Sequence, residues 1–426
     1  MRIWTTVMGQ RLDDAANTRS MLLCSELLSR GHEVVMWTSA WDHIRKEWRK
    51  EWVESGGKPV RRSDGLEIRF MKGCGYQQNT SPRRLVDHWM AAADFAKQAR
   101  SAPRPDAIVA SSPDHVTAAA AVKFGRSIGA VTLIDIRDKW PDILFDLTRG
   151  SLVKRAAGGV AMVFEQRRTR QALRRADGIV AMMNSMMDWG LAKADRPRTD
   201  DEKVFFLTTA PKNFDVPAKP LESDHAISRA LEAARGKTVF AFAGTFNRTQ
   251  HPALLLDAVD RLKQQGRLRE DRVAFLIGGA GQDADVVERR AAAHACVHYV
   301  GWMKPHEMDA LLRGSDVGLL LMNFPSEAFN NKTFSYMASG LPIISGATGD
   351  LHELINEYGV GVNVTGGNVD QLADAIDLLA SDDQERARMT TQMRALFDSR
   401  FDQKGNYAAY ADHIEAMVAK KSARAV

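Results

Sequence analysis

Apolar and polar residues follow one another along the first half of the chain in a repeated order of strand, loop and helix. The segment "RIWTTVM" is typical of a strand, "SMLLCSELLSRG" has the apolar spacing of a helix, and "EVVMWTS" is typical of a second strand. Gly31 stands where the helical pattern ends, a position that favours glycine. Further short apolar segments, with helical patterns between them, are "LEIRFM", "AIVASS", "VTLIDIR" and "GIVAMM". Strands connected by helices predict a parallel sheet.

The same order restarts in the second half, after a stretch rich in Pro, Asp and Ser at residues 211–236 that we interpret as a linker. It continues through "TVFAFAGTF", "VAFLIGGAG" and "VGLLLMN". The pattern predicts an α/β protein with two doubly wound domains, at 1–213 and 214–395, and a final helix at 396–426 that returns to the first domain. Two such sheets joined by one linker are expected to face each other across a cleft, with a ligand at the carboxyl ends of their strands.

Composition limits the class of protein without naming it. The chain has 426 residues, of which 45% are hydrophobic, and a formal net charge of +5, which permits a phosphate-bearing or membrane-surface partner. Cys24, Cys74 and Cys296 lack the spacing of a disulfide framework or a zinc site, which favours a reducing cytosol. We find no signal peptide, no segment long and apolar enough to span a membrane, and no nucleic-acid-binding motif.

The polar stretch "SEAFNNKTFSYMASGLPII", residues 326–344, follows the strand "VGLLLMN" and therefore belongs at the carboxyl edge of the second sheet. A helix that begins near Asn331 turns its N–H groups and positive dipole end toward that edge, where they favour an anion such as a diphosphate. Lys332 adds a point charge, and Glu327 is suited to accept hydrogen bonds from sugar hydroxyls. Phosphate and sugar together indicate a nucleotide-sugar; a solvated surface loop is the alternative interpretation of these residues.

The stretch also resembles a motif of the group 1 (GT4-type) glycosyltransferases of the GT-B fold, in particular the bacterial polysaccharide-biosynthesis branch. The family motif has two glutamates separated by seven residues in a phrase similar to "NK-x-FEYMA-x-G-x-P", and this chain has Glu327 followed by "NKTFSYMASGLP". Ser335 stands where the second glutamate, which in the family grips the ribose hydroxyls, is expected. The segments "FAGTFNRTQHPALLLDAV", "FLIGGAGQD", "RGHEVVMWTS" and "IDIRDKWPD" also resemble family signatures, so that the resemblance covers nearly the whole chain and implies two Rossmann-like domains.

The resemblance implies roles for residues beyond the polar stretch. The loop after "FAFA" resembles the one that holds the donor diphosphate, but Thr245 replaces its usual arginine and Gln250 falls near its usual lysine, so we expect Arg248 to hold the diphosphate. Gly9 and Gln10 resemble the family's donor-phosphate or acceptor loop. The full set of expected site residues is Glu327, Arg248, Lys332, Asp138 and Arg137 for catalysis, and Gly244, Gln250, Gly279, Asn331, Ser335 and Gly9 for donor binding.

The family retains anomeric configuration, so the resemblance implies front-face substitution without a metal and with no cofactor besides the nucleotide-sugar substrate, a UDP-sugar first and a GDP-sugar next. Arg248, Lys332 and the helix end would stabilise the leaving diphosphate while Glu327 fixes the sugar. The implied acceptor is a membrane-linked glycan or polyprenyl diphosphate. Its use places the protein in the cytoplasm, at the inner face of the cytoplasmic membrane.

Two other functions remain open. A nucleotide-sugar 2-epimerase has the same architecture, and a chain with Ser335 in place of glutamate could be a non-catalytic scaffold for glycan assembly. The tripeptide "DAD" at 283–285 is similar to a metal-binding DxD motif, but we interpret it as a helix cap. Of the scattered histidines, only His115, at a strand-to-helix turn, is kept as a site candidate.

Two basic stretches with interspersed apolar residues, at 41–52 and 151–177, are candidates for contact with anionic lipid. In the second stretch Leu152, Val153, Ala156, Val160, Val163 and Phe164 have helical spacing. For that apolar face we favour packing against the protein's own sheet, whereas the arginines that follow it and Trp48 or Trp52 remain candidates for the membrane.

Overall fold

The computed structural model describes residues 1–12, 18–79, 81–142, 152–214 and 219–425, and in the helix that begins at residue 152 the description of side chains starts at Val163. The chain divides into two compact units. Unit 1 comprises Met1–Leu207 and Lys404–Val426, and unit 2 comprises Thr208–Gln403.

Both units are built from short strands and longer helices. The described strands are β1 (Arg2–Thr6), β2 (Glu33–Ser39), β3 (Trp41–Asp42), β4 (Glu47–Trp48), β5 (Val60–Arg61), β6 (Glu67–Met71), β7 (Ala107–Ser112), β8 (Val131–Ile136), β9 (Gly178–Ala181), β10 (Lys203–Val204), β11 (Thr238–Ala243), β12 (Val273–Gly278), β13 (Val297–Gly301), β14 (Val317–Leu320), β15 (Ser326–Glu327), β16 (Ile343–Ser345), β17 (Ala347–Thr348) and β18 (Gly361–Asn363). The described helices are α1 (Arg19–Ser29), α2 (Lys50–Glu54), α3 (Pro82–Ala99), α4 (His115–Ile128), α5 (Leu152–Arg175), α6 (Asn184–Ala194), α7 (Ala226–Ala233), α8 (Ala253–Gln264), α9 (Ala284–Ala291), α10 (Pro305–Arg313), α11 (Asn331–Ala338), α12 (Asp350–Tyr358), α13 (Val369–Ser381), α14 (Asp383–Leu396) and α15 (Gln403–Ala425), with a π-helical segment, Phe397–Phe401, before α15.

The main sheet of unit 1 has eight strands in the order β10-β9-β8-β7-β1-β2-β6-β5. All neighbours pair in parallel except β5, which runs antiparallel to β6. Strands β7 and β8 are buried along their whole length, which is why their sequences are largely apolar and do not alternate strictly between apolar and polar residues.

Helices cover both faces of this sheet. On one face Ile3 and Met36 pack in a core with Leu27 of α1 and Tyr410 of α15. On the other face the indoles of Trp4 and Trp37 lie against α3, where Phe95 meets Trp37 edge to face at 4.9 Å between ring centroids. The final helix is therefore part of the core of unit 1.

Unit 2 has a six-stranded parallel sheet in the order β13-β12-β11-β14-β16-β18. Its central strands β11 and β12 are buried throughout, and their Phe240 and Phe275 stack at 5.4 Å. On the opposite face Tyr336 of α11 packs over Gly318 of β14, where a side chain on the glycine would overlap the tyrosine ring. The predicted fold class, α/β with doubly wound parallel sheets, is confirmed in both units.

Candidate functional site

In each sheet, successive strands are added first on one side of the starting strand and then, after one crossing, on its other side. In unit 2 the strands grow from β11 through β12 to β13, and the chain then crosses back to place β14 on the other side of β11. In unit 1 the same change occurs between β1 and β7. The loops at the carboxyl ends of the two flanking strands diverge at such a point, and the gap between them is where open α/β sheets bind ligands.

The helix of the polar stretch begins at this point in unit 2. As predicted, α11 starts at Asn331, and Asn330 serves as its N-cap, with its Oδ1 accepting a hydrogen bond from the Thr333 N–H at 3.4 Å. An asparagine at this position favours helix initiation because its side chain satisfies an N–H that has no partner within the helix. The cap therefore sets Lys332 in the first turn.

Lys332 is a buried cation at the edge of the sheet. Its Nζ is inaccessible to solvent and has no hydrogen-bond partner among the residues that the structure describes. The ammonium lies 4.3 Å from the centre of the Phe242 ring, and burial lowers the pKa of Lys332 to about 8. A buried charge without a partner is unfavourable, so the position is suited to an anion that supplies the missing charge.

Two glycines bring the neighbouring loops close to this ammonium. Gly244, at the end of β11, has φ +148°, and a Cβ there would lie 2.6 Å from Lys332 Nζ. Gly279, at the end of β12, has φ +140°, and a Cβ there would overlap the carbonyl oxygen of Gly244. Both positions combine a left-handed backbone with close approach, which is why they require glycine.

The loop that carries Arg248 has a defined conformation. Asn247 Oδ1 accepts hydrogen bonds from the backbone N–H groups of Thr249 and Gln250, at 2.9 and 3.0 Å. Asn323, which follows β14, donates its side-chain amide to the Arg248 carbonyl at 3.1 Å. Arg248 is exposed, whereas Gln250 is buried. The loop therefore holds the Arg248 backbone in place and leaves the side chain at the surface.

Glu327 precedes α11, and Ser335 lies in its second turn. Glu327 is exposed and lies in the two-residue strand β15, opposite Thr348 of β17. Ser335 is half-buried and donates its hydroxyl to the Asn331 carbonyl at 3.1 Å. In unit 2, Gly244 therefore lies beside both Lys332 and Gly279, and Asn331 shares the first turn of α11 with Lys332.

A second pocket, of about 250 Å³, lies in unit 1 at its own point of strand reversal. Its lining includes Gly9 after β1, Asp114 after β7 and Arg137 after β8. Arg137 donates to Asp135 Oδ2 and to Ser20 Oγ, both at 2.9 Å, so that its guanidinium is held from behind. A Cβ at Gly9 would meet nothing within 4 Å, and this glycine is therefore not required by space.

Asp138 and Gln10 are two further predicted or neighbouring residues that are not among the residues lining this pocket. Burial raises the pKa of Asp138, although Arg19 and Arg137 act in the opposite direction. Gln10 is buried and donates its side-chain amide to Thr18 Oγ at 2.7 Å, at the start of α1. The amide is thus engaged with the protein itself.

Several polar and aromatic residues of this pocket were not predicted as site residues from the sequence: Trp41, His43, Tyr76, Arg84 and His88. His43 Nδ1 and the Tyr76 hydroxyl are hydrogen-bonded at 2.6 Å, and burial, together with the charge of Arg84, lowers the pKa of His43 to about 4. The sequence did contain a signal for these pocket residues, because aromatic residues and a histidine occur in the segments that follow strands β2 and β6.

Two interpretations from the sequence need correction. His115 is buried and hydrogen-bonded to Glu165 at 2.7 Å, which makes it part of the packing of α4 against α5. Trp48 and Trp52 are half-buried, pack on each other at 5.0 Å and lie against the core of unit 1 instead of projecting into solvent.

The interpretation of the tripeptide at 283–285 as a helix cap is confirmed in its position. Asp283 is the N-cap residue of α9, although its side chain makes no capping hydrogen bond.

We expected the apolar face of the second basic stretch to pack against the sheet, and for the two positions whose side chains are described the structure contradicts this prediction. Val163 and Phe164 are exposed by 49% and 60%, so these two side chains do not pack against the sheet. The other predicted apolar positions, Leu152, Val153, Ala156 and Val160, lie outside the described side chains.

Solved structures that are similar over nearly the whole chain identify the fold class. The Anabaena protein HepE, crystallised in complex with UDP-glucose, is similar with a TM-score of 0.62 and 17% identity over 98% of this chain and 100% of that one. Sucrose-phosphate synthase from Thermosynechococcus elongatus is similar with a TM-score of 0.70 and 13% identity over 98% and 99% of the two chains. The architecture is that of the GT-B glycosyltransferase fold.

Comparison with protein families identifies the family. Residues 223–395 match the family model described as glycosyl transferases group 1, and residues 15–199 match the glycosyl transferase 4-like domain. The chain belongs to the group 1, GT4-type glycosyltransferases.

The chain is also similar to curated relatives, over part of its length. The D-inositol 3-phosphate glycosyltransferases of Corynebacterium kroppenstedtii and Stackebrandtia nassauensis are both 26% identical to it, over 207 and 229 residues. These matches span 44% and 51% of this chain, and 45% and 49% of the two relatives. The chain thus spans about half the length of the curated relatives that it matches.

Proposed function

We propose that this protein is a retaining glycosyltransferase that moves a sugar from a nucleotide-sugar donor to a membrane-linked glycan or polyprenyl-diphosphate acceptor in cell-surface polysaccharide synthesis. The observation that carries the proposal is the buried, unpartnered Nζ of Lys332 at the strand reversal of unit 2. A diphosphate is the anion whose charge and size suit a lysine beside a helix N-terminus. UDP is the first candidate nucleotide because HepE was crystallised with UDP-glucose.

In the proposed reaction the acceptor hydroxyl attacks the anomeric carbon on the face from which the nucleotide leaves. The bond from the anomeric carbon to the diphosphate oxygen breaks, and that oxygen takes the acceptor proton. Lys332 and Arg248 stabilise the negative charge that grows on the leaving diphosphate, and Glu327 accepts hydrogen bonds from the donor sugar. Removal of one such stabilising group commonly lowers turnover by about 100- to 1,000-fold. No metal is required in this scheme.

The unit 1 pocket suits the acceptor. Arg84 and Arg137 line it, and Arg84 stacks over the rings of Tyr76 and Trp140 at 5.8 and 5.5 Å. Guanidinium groups beside aromatic rings favour a ligand with a sugar or polyol ring and an anionic group. A phosphorylated polyol is therefore a second candidate acceptor, which the similarity to D-inositol 3-phosphate glycosyltransferases also favours.

The shift in melting temperature with nucleotides tests the donor site. A ligand that binds only the folded protein raises its stability, so UDP, GDP, ADP and CMP can be compared directly, followed by sugar conjugates of the base that works. We expect a selective shift with UDP, a reduced shift for Arg248→Ala with nucleotide and conjugate, and loss of only the conjugate's additional shift for Glu327→Ala. Arg269→Ala, at an exposed arginine elsewhere in unit 2, is the matched control.

Ser335→Glu extends the same measurement. A carboxylate there restores a pair of charge-assisted contacts to the ribose hydroxyls, and we expect nucleotide affinity to rise by about 1–2 kcal/mol. Conversion of UDP-N-acetylglucosamine without acceptor would favour the epimerase instead. The absence of a shift with every nucleotide would favour the scaffold, and an inverted anomeric product would contradict the retaining mechanism.

A further inference from the structure

The strand reversal of unit 2 contains a buried tyrosine, Tyr336, to which the proposed reaction gives no role. Strands β11 and β14 are neighbours at this reversal. In the part of the chain that the structure describes, they pair only between residues 240–241 and 317–318, although β11 continues to Ala243 and β14 to Leu320. The two strands therefore part at the carboxyl edge of the sheet, which is where an open α/β sheet binds its ligand.

The hydroxyl of Tyr336 lies between the two strands at the point where they part. It accepts a hydrogen bond from the Ala243 N–H at 3.0 Å and donates one to the Leu319 carbonyl at 3.1 Å. If the strand register continued, Phe242 would stand opposite Leu319, and the Ala243 N–H would bond directly to the Leu319 carbonyl. The hydroxyl therefore takes the place of one bond of the ladder and connects the strand ends at a greater separation.

The surroundings of Tyr336 hold the hydroxyl in this place. The side chain is fully buried, and its ring lies over Gly318 of β14, where a Cβ would come within 2.6 Å of the ring. Burial raises the pKa of Tyr336, so the hydroxyl remains protonated and can donate to a carbonyl. Both of its hydrogen bonds are made to backbone groups, whose positions depend on the strands themselves.

Lys332 lies one helical turn before Tyr336 on α11. Residues four positions apart share one face of a helix, so both side chains are directed toward the same strand ends. The Lys332 ammonium lies 4.3 Å from the centre of the Phe242 ring and beside Gly244. These two residues are the chain neighbours of Ala243, so the Tyr336 hydroxyl binds the residue that stands between the two contacts of the ammonium.

We propose that Tyr336 is a positioning residue of the donor site: its hydroxyl holds the carboxyl ends of β11 and β14 apart and thereby places Lys332 beside Gly244. The inference rests on the proposed binding of the donor diphosphate by Lys332. Tyr336 does not contact the nucleotide in this scheme, because two backbone groups occupy its hydroxyl. Without the hydroxyl, the Ala243 N–H and the Leu319 carbonyl would pair directly, which would draw the strand ends together and displace Lys332.

Tyr336→Phe removes the hydroxyl, keeps the ring over Gly318 and tests the inference in the full chain. Isothermal titration calorimetry with UDP, well below the melting transition, measures the affinity of the folded protein, so a loss of stability alone does not change the result. We expect the affinity to fall by about tenfold or more, as for other groups that orient a ligand-binding residue. Circular dichroism establishes that the variant is folded.

Tyr358→Phe is the matched control within unit 2. It removes a tyrosine hydroxyl at the end of α12 that accepts a hydrogen bond from Arg400 at 2.7 Å. This hydroxyl has no place in the donor site described above. We expect Tyr358→Phe to bind UDP with the affinity of the wild type.

The pH dependence of stability provides a second measurement that needs no nucleotide. Because burial lowers the pKa of Lys332 to about 8, the ligand-free wild type is expected to gain stability as pH rises above that value. If the Tyr336 hydroxyl places Lys332, its removal lets the ammonium leave the buried position. We therefore expect Tyr336→Phe to lose most of the rise in melting temperature with pH, and Tyr358→Phe to keep it.

The outcomes separate this inference from the proposed function. Wild-type affinity for UDP in Tyr336→Phe, an unchanged pH dependence in that variant, or equal losses in Tyr358→Phe would each overturn the inference. If the wild type itself does not bind UDP, the proposed donor site fails in its first candidate nucleotide. The pH dependence then decides the role of Tyr336: its loss in Tyr336→Phe supports the placement of Lys332 by the hydroxyl, and its retention overturns it.

Discussion

Lys332 makes unit 2 less stable than it would be with an apolar residue at the same position. Its Nζ is buried beside Phe242 and Gly244 without a partner among the described residues, and burial lowers its pKa to about 8. A binding site often contains such a group because the ligand supplies the interaction that the free protein lacks. The lysine is therefore better explained by what it binds than by the stability of the fold.

The pKa of Lys332 gives a pH dependence with a definite sign. Between about pH 8 and the ordinary lysine value near 10.4, the unfolded chain binds more protons at this group than the folded one, so the stability of the ligand-free protein rises with pH. A bound diphosphate favours the charged amine. We therefore expect nucleotide affinity to fall as pH rises from 7 to 9.

Lys332→Met provides the matched comparison for that titration. The variant removes the buried charge, and we expect it to stabilise the ligand-free protein by roughly 1–3 kcal/mol while it weakens nucleotide binding at pH 7. Calorimetry at both pH values measures affinity, and the difference between the two proteins cancels any titration of the nucleotide itself. Equal pH dependence in both proteins would show that Lys332 does not contact the anion.

At the scale of elements, the loops after the strands contain a glycine that the structure requires, Gly279, and one that it does not, Gly9. We expect Gly279→Ala to lower stability by about 2–4 kcal/mol, because its Cβ would overlap the Gly244 carbonyl at a left-handed backbone position. Gly9→Ala serves as the control and is expected to change stability by less than about 0.5 kcal/mol, since its Cβ has open space. Urea denaturation measures both. A large loss for Gly9→Ala, or none for Gly279→Ala, would contradict this account of the two loops.

The elements themselves were largely readable from the sequence. Buried parallel strands such as β12 are continuous apolar runs, and α11 begins where the Asn-Asn-Lys sequence predicts, since a capping side chain is a local signal. The unit 1 pocket was predicted only in part, because the resemblance named Gly9 and Arg137, which line it, but none of its aromatic residues. Trp41, His43 and Tyr76 lie in segments without helical or strand periodicity, and their proximity to Arg84 arises only when β2, β6 and α3 pack together.

The exposure of Val163 and Phe164 could not be predicted from the sequence either. Their helical spacing is compatible with a face that packs on the sheet and with a face that projects outward, because periodicity records which residues share a face and not what covers it. Likewise the sequence around Lys332 predicts the start of a helix. That its Nζ has no partner among the described residues depends on the neighbouring loops after β11 and β12, which the sequence does not show.

At the scale of the whole molecule, the final helix belongs to the unit that begins the chain. Tyr407, Tyr410, Ala411, Ile414 and Met417 of α15 are buried in the core that also contains β1 and β2. Ion pairs at its surface, Arg30 with Asp412 at 2.5 Å and Lys420 with Asp201 at 2.6 Å, add less because exposed pairs contribute about 1 kcal/mol or less. Unit 2 is completed by Gln403 and contains the candidate donor site within its own residues.

This arrangement predicts different responses of the two units to truncation. A stop after Gln403 removes five buried side chains from unit 1, and each large apolar one contributes about 1.5–3 kcal/mol by burial, so we expect unit 1 to lose its cooperative unfolding transition. A stop after Lys421 removes the exposed residues Ser422, Ala423 and Arg424 together with the two residues that follow them, and is expected to leave unfolding unchanged. Because the Lys332 loops lie in unit 2, the nucleotide-induced shift should persist in the shorter chain. Limited proteolysis with and without UDP follows both units at once: a protected fragment near 208–403 agrees with this division, and loss of nucleotide protection after the Gln403 stop would show that the donor site depends on unit 1.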